Sequence, residues 1–372
     1  MKIKIETITP VHVGSGEMLY KDNDFCVGKD SENYDVIGII DPHKALKLIG
    51  EEHLDAWVLG IERGRSFADI VKQYWPNATI EDYTSRLIEF SPKDKSNTLK
   101  EQLHDGLGRP YLPGSSIKGA IRTAVFATLM TNDANIANWL PSTGKLSSKG
   151  LENRMFGDTQ RDVFRFLQVG DAIFGELLTS AMMMVNINER SSGNYWDKSK
   201  AQLIETLGVE DYSQFELRLN MAGYDLAQHR KGVHNMPACM SSITELFKTI
   251  NAHTASLVVA DMDYWNQRKD DDASGQVENY LNELSRLQGK IKDCGDKGEN
   301  CILRIGHGSG WNFITGGWAR KCNCFKRMIV PKVRPKNFNY VAYDFPKTRR
   351  MGVYRNNGDS CVPLGFVKLT QI

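Results

Sequence analysis

The segment Tyr111–Arg122 constrains the fold most strongly, because it places a turn rich in glycine and serine directly before a helix. Pro113 and Gly114 end an extended segment, and apolar residues then recur at helical spacing from Ile117 onwards. This spacing predicts a helix that begins near Ser116. The first N–H groups of a helix lack intrahelical partners and carry the positive end of its dipole. The turn is therefore predicted to bind an anion.

The anion-binding candidates of this segment combine small residues in the turn with two cations on the helix. They are Gly114, Ser115, Ser116, Lys118, Gly119 and Arg122. Gly114 and Gly119 have the spacing of the P-loop glycines, but Ala120 and Ile121 stand where that motif requires Lys and then Ser or Thr. The segment thus predicts phosphate binding without ATP hydrolysis. The competing interpretation is an ordinary helix start that its serines merely cap.

Two further glycine-rich loops each follow a predicted strand. The two strands are predicted over residues 3–7 and 301–305. The candidate anion-binding residues of the loops are His12, Gly14, Ser15 and Gly16 in the first loop, and Gly306, His307, Gly308, Ser309 and Gly310 in the second. The second loop does not match a dinucleotide fingerprint, because its third glycine is out of place. An extended chain of phosphates is bound well only along one track, so we expect the two loops to lie close together.

The order of the predicted elements favours an α+β fold with antiparallel sheets. Strands are predicted at 36–40 and, after a loop, at 164–169, where the first half closes. Residues 181–187 begin the second half, and an amphipathic helix is predicted over 276–291. Asp41, followed by proline, is predicted to cap another helix. Residues 51–110 are predicted to form helix and loop.

Length and composition predict a globular chain of two domains. A chain of 372 residues exceeds one ordinary core, and we place the domains at 1–178 and 179–372. The 41% hydrophobic and 25% charged residues are typical of globular proteins and exclude the disordered class.

Positive charge is clustered although the net charge is only +2. Between Arg320 and Lys336 there are seven Lys or Arg residues and no Asp or Glu. Local clusters of this kind attract polyanions, so Arg320 and Lys321 are predicted to contact one.

Several features favour a reducing compartment. Residues 1–6 contain no apolar signal core, and the longest apolar run, 181–185, is too short to span a bilayer. We therefore expect a cytoplasmic protein with no membrane partner. The seven cysteines are scattered and odd in number, which favours free thiols. A zinc site is the alternative, formed by Cys294, Cys301, Cys322 and Cys324.

Three motifs resemble the RAMP (repeat-associated mysterious protein) superfamily of CRISPR effector subunits. Residues 9–16 resemble the opening motif of the family, residues 111–122 its highly specific Pro-Gly-Ser-Ser signature, and residues 306–310 its C-terminal glycine-rich loop. With the chain length and a Phe-Gly-Asp element at 156–158, the order of motifs is most similar to one subunit of type III-A Csm complexes. That subunit caps the 3′ end of the guide RNA.

The resemblance implies two ferredoxin-like, RRM-related domains with helical insertions and no cofactor. It implies a non-catalytic subunit that binds the 3′ part of the guide RNA (crRNA) and supports its maturation and complex assembly in antiviral defence. The implied partners are crRNA and other RAMP subunits of the Csm complex, above all the neighbouring backbone subunit. Target RNA and processing nucleases are further candidates. The catalytic Asp of the backbone subunit does not transfer to Asp22 or Asp24, because no motif supports it.

The chemistry of the side chains leaves one enzymatic alternative. His12 and His307 could act as base and acid in cleavage at a 2′-hydroxyl, which would make the chain a metal-independent endoribonuclease for precursor guide RNA. We favour hydrogen bonding of phosphate or backbone by these histidines.

Other residue types point to RNA contact or to no specific chemistry. Tyr20, Trp311 and Phe325 are candidates for base stacking, with core packing as the competing interpretation. No carboxylates have metal-ligand spacing, and 270–272 is predicted to be a solvated turn.

Overall fold

The computed structural model describes residues 1–132, 149–175, 178–230, 232–314, 316–321, 325, 330, 346–354 and 360–372. The strands are β1 (Lys2–Thr7), β2 (Gly14–Tyr20), β3 (Phe25–Lys29), β4 (Asp35–Ile40), β5 (Thr84–Glu89), β6 (Thr98–Gln102), β7 (Tyr111–Leu112), β8 (Leu167–Val169), β9 (Ala172–Ile173), β10 (Thr179–Asn188), β11 (Trp196–Thr206), β12 (Tyr212–Leu219), β13 (Asn300–Arg304), β14 (Thr348–Tyr354), β15 (Ser360–Pro363) and β16 (Phe366–Gln371). The helices are α1 (Pro42–Ile49), α2 (Leu54–Glu62), α3 (Phe67–Tyr74), α4 (Gly114–Asn132), α5 (Lys149–Phe156), α6 (Met221–His229), α7 (Ile243–Asn266) and α8 (Gln276–Asp293).

The first sheet has five antiparallel strands in the order β13-β16-β1-β12-β8. Strand β1 is central because its isoleucines alternate with polar residues, and Ile3 and Ile5 are fully buried. Helix α4 connects to β8 and α7 follows β12, so β16-β1-β12-β8 has the strand order of a ferredoxin-like unit. The predicted α+β class is confirmed.

The second sheet has nine strands: seven follow the path β2-β6-β11-β10-β5-β4-β3, β14 pairs with β10, and β15 pairs with β14. Its pairs are antiparallel except for two short parallel pairs, β5 with β10 and β6 with β11. Helix α7 connects the two hydrophobic cores, because Phe247 packs in the core of the first sheet and Trp265 in the core of the second. The predicted division at residue 178 cuts both sheets, since each contains strands from both sides of it.

Several predicted elements are confirmed with small changes of boundary. Asp41 caps α1 by accepting hydrogen bonds from the backbone N–H groups of His43 and Lys44. Helix α4 begins at Gly114 rather than near Ser116.

The prediction of helix and loop for residues 51–110 is wrong for β5 and β6. These short strands mix charged and apolar residues, and they pair with β10 and β11, which lie far away in sequence. In the described part of the chain, no helix is both long enough and apolar enough to cross a membrane.

Candidate nucleic-acid interface

The two glycine-rich loops meet directly. The backbone N–H of His307 donates a hydrogen bond of 2.8 Å to the carbonyl oxygen of His12, and the imidazole rings lie 5.8 Å apart. Gly306 has a φ of +79°, and a Cβ at this position would collide with the same carbonyl oxygen. Only glycine combines this backbone angle with so close an approach. The predicted proximity of the two loops is confirmed.

An open cleft of about 380 Å³ lies where the loops meet. It is lined by His12, Gly14, Gly16, Glu17, Met18, Lys100, Glu101 and His307. The first loop covers only residues 8–13. The prediction of a loop at residues 14–16 is wrong, since they form the first part of β2, where the pairing with β6 shifts register between Gly14 and Met18. The φ of +99° at Gly16 accommodates this irregularity, which turns the start of the strand into one wall of the cleft.

Both histidines are neutral at physiological pH. The pKa of His12 is lowered to about 4, mainly by burial and also by the charge of Lys100, while the hydrogen bond to Glu205 opposes the shift. Burial likewise lowers the pKa of His307 to about 4, helped by the charges of Lys100 and Arg350. The Nδ1 of His12 donates to the carbonyl oxygen of Glu205 at 2.6 Å, which leaves its Nε2 as an acceptor.

One cation lines the cleft and a second lies beside it, and the lining also contains two carboxylates, Glu17 and Glu101. Lys100, on β6, lines the cleft, and its charge acts on both imidazoles. Arg350, on β14, donates from Nη1 to the Nε2 of His307 at 3.1 Å. Glu101 is already bound by Arg86 and Ser15, so the donors left to an anion such as a phosphodiester are Lys100, Arg350 and the exposed backbone of Gly14 and Gly16, against the charge of the Glu17 carboxylate.

A buried carboxylate fixes the first loop in place. Glu205, on β11, is fully buried and accepts from Arg86 at 2.5 Å, Thr179 at 2.6 Å and the backbone N–H of Gln102 at 3.0 Å. The side-chain oxygen of Gln102 in turn accepts from the backbone N–H of Val13 at 2.9 Å. These contacts join four strands of the second sheet to the loop, so internal hydrogen bonds hold the loop in position.

Glu101 extends this network to the edge of the cleft. Its carboxylate accepts from Arg86 at 2.9 Å and from the hydroxyl of Ser15 at 2.9 Å. Ser15, one of the predicted site residues, is therefore oriented by β6.

A buried arginine supports the second loop. The guanidinium of Arg304 donates to the carbonyl oxygens of Leu364 at 2.9 Å and Gly308 at 3.3 Å. Its charged carbon lies 4.6 Å from the ring centres of both Phe313 and Phe366. The hydroxyl of Ser309 donates to the carbonyl oxygen of Gly306 at 3.2 Å, which closes the turn.

The turn before α4 is folded onto an internal partner. The backbone N–H of Gly114 donates to the carboxylate of Asp171 at 2.7 Å, and a Cβ on Gly114 would collide with the carbonyl oxygen of Val169. The anion at this helix start is thus a side chain of the protein itself. Ser115 and Gly119 are exposed on the first turns of the helix and Ser116 is partly exposed. Phosphate contact by these residues stays a prediction.

The two cations of α4 differ in their surroundings. The sequence predicts Arg122 beside an anion site, but its guanidinium binds Glu152 at 3.1 Å and Asp162 at 2.8 Å and lies over two phenylalanine rings. RNA contact by Arg122 would compete with these carboxylates. Lys118 is partly buried, which lowers its pKa, while the charge of Asp162 opposes that effect.

The remaining candidates lie apart from the cleft or outside the described residues. Arg320 and Lys321 end a short 3-10 helix, Gly317–Lys321, where the guanidinium of Arg320 lies 5.6 Å from the ring centre of Tyr264. Most of the basic run that follows, including Cys322 and Cys324 of the zinc alternative, lies outside the described residues. Among the described residues, no group of three or more His, Cys, Asp or Glu side chains is arranged to hold a metal.

The aromatic and acidic candidates differ in how far they are exposed to solvent. Tyr20 is 54% exposed on β2, whereas Phe325 is buried and packs 5.5 Å from Trp311. The predicted solvated turn at 270–272 is wrong for Asp272, which is buried and accepts from the backbone N–H groups of Tyr195 and Val277.

Sequence reasoning missed four residues that build the cleft: Arg86, Lys100, Glu205 and Arg350. They lie on strands β5, β6, β11 and β14 and carry no local motif. Once the strands are recognised, a charged residue inside a strand predicts a buried ion pair or a functional site, and this pattern could have identified the four residues.

Comparisons with known proteins agree with this fold. The model of the RAMP superfamily matches residues 4–218. A protein described as "CRISPR system Cms protein Csm5", from Methanocaldococcus jannaschii, is 30% identical over 186 residues, which are 46% of this chain and 43% of that relative. The match thus covers less than half of the relative.

Two solved structures have the same overall fold. One chain of the cryo-EM structure of a type III-A Csm-crRNA-target RNA ternary complex aligns with a TM-score of 0.68 and 17% identity, covering 99% of this chain and 100% of its own length. The crystal structure of T. onnurineus Csm5 aligns with a TM-score of 0.63 and 17% identity, covering 98% and 99%.

Proposed function

This chain belongs to the RAMP superfamily, and from that premise we propose that it is a non-catalytic RNA-binding subunit of a type III-A CRISPR (Csm) effector ribonucleoprotein. It binds the 3′ part of the guide RNA and supports its maturation and the assembly of the complex. The observation that carries the proposal is the junction of the two glycine-rich loops, sealed by the bond from His307 to the carbonyl of His12 and flanked by Lys100 and Arg350.

The cleft suits an RNA backbone rather than a small metabolite. It is open, it presents exposed main chain at Gly14 and Gly16, and the two cations at it, Lys100 and Arg350, stand on paired strands of the second sheet. Phosphate contacts of this kind hold single-stranded RNA in register without reading bases. Tyr20, exposed on the same strand as Gly16, is the proposed stacking surface for a base.

The histidine pair supports a binding role over the nuclease alternative. Acid–base cleavage at a 2′-hydroxyl needs one neutral and one protonated imidazole near neutral pH. Both pKa values are lowered to about 4, so neither ring is protonated there. The Nε2 of His307 also accepts a hydrogen bond from Arg350, which occupies the atom that would carry an acidic proton.

The test measures affinity for guide-length single-stranded RNA across a salt series. We expect Lys100→Gln and Arg350→Gln each to weaken binding and to reduce the slope of log K against log salt by about 0.7 for each phosphate that the variant no longer neutralises. Lys72→Gln, at an exposed position on α3, is the matched control and should leave both unchanged. Unaltered affinity and slope in the two cleft variants would remove the cleft from the RNA site.

The same preparation tests catalysis. Labelled single-stranded and hairpin RNA should stay intact with and without Mg²⁺. Cleavage that disappears in His12→Ala or His307→Ala would instead support the endoribonuclease. We further propose the neighbouring backbone subunit as the main protein partner, with target RNA and processing nucleases as additional partners, which co-purification with a tagged full chain would identify.

A further inference from the structure

Helix α2 carries an exposed apolar row that the proposed RNA site does not use. Leu54, Val58 and Ile61 are spaced i, i+4, i+7, so they share one face, and they are 38%, 48% and 37% exposed. Leu59 lies beside them and is 48% exposed. Single exposed apolar residues are normal, but four on one nine-residue helix mark an interaction surface.

The opposite face of α2 is already occupied within the chain. A Cβ on Gly60 would lie 2.6 Å from the Cδ1 of Ile70, so α2 and α3 are packed as closely as glycine allows. Trp57 also points inward, and its ring lies 5.5 Å from that of Phe67. The exposed row therefore does not result from a loosely placed helix: α2 is held by its inner face.

Acidic residues border the row. Glu51, Glu52, Asp55 and Glu62 are exposed, and the chain has no Lys or Arg from residue 51 to residue 62. Asp55, Leu59 and Glu62 form a second row, again at i, i+4, i+7, directly beside the apolar one. Arg63 and Arg65 are exposed just beyond the C-terminal end of α2, so the acidic border is confined to residues 51–62, where it disfavours an RNA backbone and complements a basic protein surface.

We propose that α2 is a docking surface for a basic amphipathic helix of a second protein. The partner helix lays an apolar row against Leu54, Val58 and Ile61 and places Lys or Arg side chains beside Asp55 and Glu62. This surface is carried by the helices between β4 and β5, whereas the cleft is built on β2, β6 and the loop after β13. The protein contact is thus independent of the proposed RNA contact.

Zero-length crosslinking of the tagged full chain, purified with its natural partners, tests the proposal. A carbodiimide joins carboxylates to lysine amines in direct contact. We expect crosslinks from Glu51, Glu52, Asp55 or Glu62 to lysines on a helix of another protein, with slower amide hydrogen exchange over residues 54–61 than in the isolated chain. Crosslinks confined to this chain or to a second copy of it would overturn the proposal, as would RNA crosslinks at α2 or unchanged exchange.

A matched pair of variants separates docking from folding. Val58→Asp places a charge in the apolar row. Leu226→Asp places the same charge outside the row, at a 56% exposed position on α6. We expect Val58→Asp to lower the affinity for the crosslinked partner about tenfold or more, while Leu226→Asp leaves it unchanged. Both variants should keep the RNA affinity of the parent chain. Equal retention of the partner by both variants would overturn the proposal.

Discussion

His12 shows how one side chain serves both the fold and the candidate site. It is 2% exposed and its Nδ1–H bonds the carbonyl oxygen of Glu205, so it fixes the first loop to β11. Its carbonyl oxygen meanwhile accepts the backbone N–H of His307. The ring is thus paired with a buried carbonyl group, and the cost of burying its charged form appears as its low pKa.

The pKa of His12 predicts a loss of stability in acid. Its folded pKa of about 4 lies below the ordinary value of 6.5, so as the pH falls the unfolded chain takes up the proton first. Stability from this group is complete above pH 6.5 and is lost progressively down to about pH 4, by up to about 3 kcal/mol. His253 and His307, with pKa values also lowered to about 4, act in the same direction.

Denaturant unfolding at pH 7 and pH 4.5 measures this effect. His12→Asn keeps a donor for the carbonyl of Glu205 but does not titrate in this range, so its free energy of unfolding should fall less between the two pH values. His43→Asn, at an exposed position on α1, serves as the control and should lose as much stability as the parent chain. An equal pH dependence in His12→Asn and the parent would show that His12 is not the buried neutral group described.

In the second glycine-rich loop, the backbone conformation explains why particular positions are glycine. Gly306 and Gly310 both have positive φ values, +79° and +73°. A Cβ on Gly310 would meet open space, whereas one on Gly306 would collide with the carbonyl oxygen of His12. The first glycine therefore serves the junction between loops, and the second serves only the turn.

Alanine at these two positions should separate the two roles. Gly310 has φ +73° and ψ 175°, a conformation that is essentially restricted to glycine, so Gly310→Ala costs backbone strain of about 1–3 kcal/mol of unfolding free energy. Gly306→Ala costs the strain of its positive φ and an additional ~1–3 kcal/mol for the collision, and only this variant should weaken RNA binding, by opening the cleft. Thermal unfolding and RNA titration of both variants give the comparison. Matching losses for the two would mean that the loops do not depend on the close approach at Gly306.

At the level of elements, sequence patterns identified what local chemistry controls. The Asp41 cap, the alternation in β1 and the apolar face of α8 were predictable because each involves neighbours within a few residues. Strands β5 and β6 were missed because their partners lie far along the chain. The internal roles of Arg122 and Asp171 were equally invisible, since ion pairs and caps between distant residues leave no periodic signal.

The whole molecule depends on strands from both halves of the chain. Strand β1 lies between β12 and β16, and β10 and β11 join the pair β2-β6 to the group β5-β4-β3. Helix α7 places one part in each hydrophobic core. Two domains divided at residue 178 stay a prediction, but the pairing of strands makes the two parts of the chain interdependent in folding.

Expressing residues 1–178 without the remainder tests this interdependence. The fragment lacks both neighbours of β1, and it ends before β10 and β11, so β2-β6 and β5-β4-β3 are no longer connected. Two- and three-stranded remnants with an uncovered apolar face are marginal in water, so the fragment should show no cooperative unfolding and rapid exchange of the β1 amides. Co-expression with residues 179–372 should restore both signals, because it supplies the missing strands and α7. A fragment that unfolds cooperatively by itself, with protected β1 amides, would show that the N-terminal half is an autonomous domain.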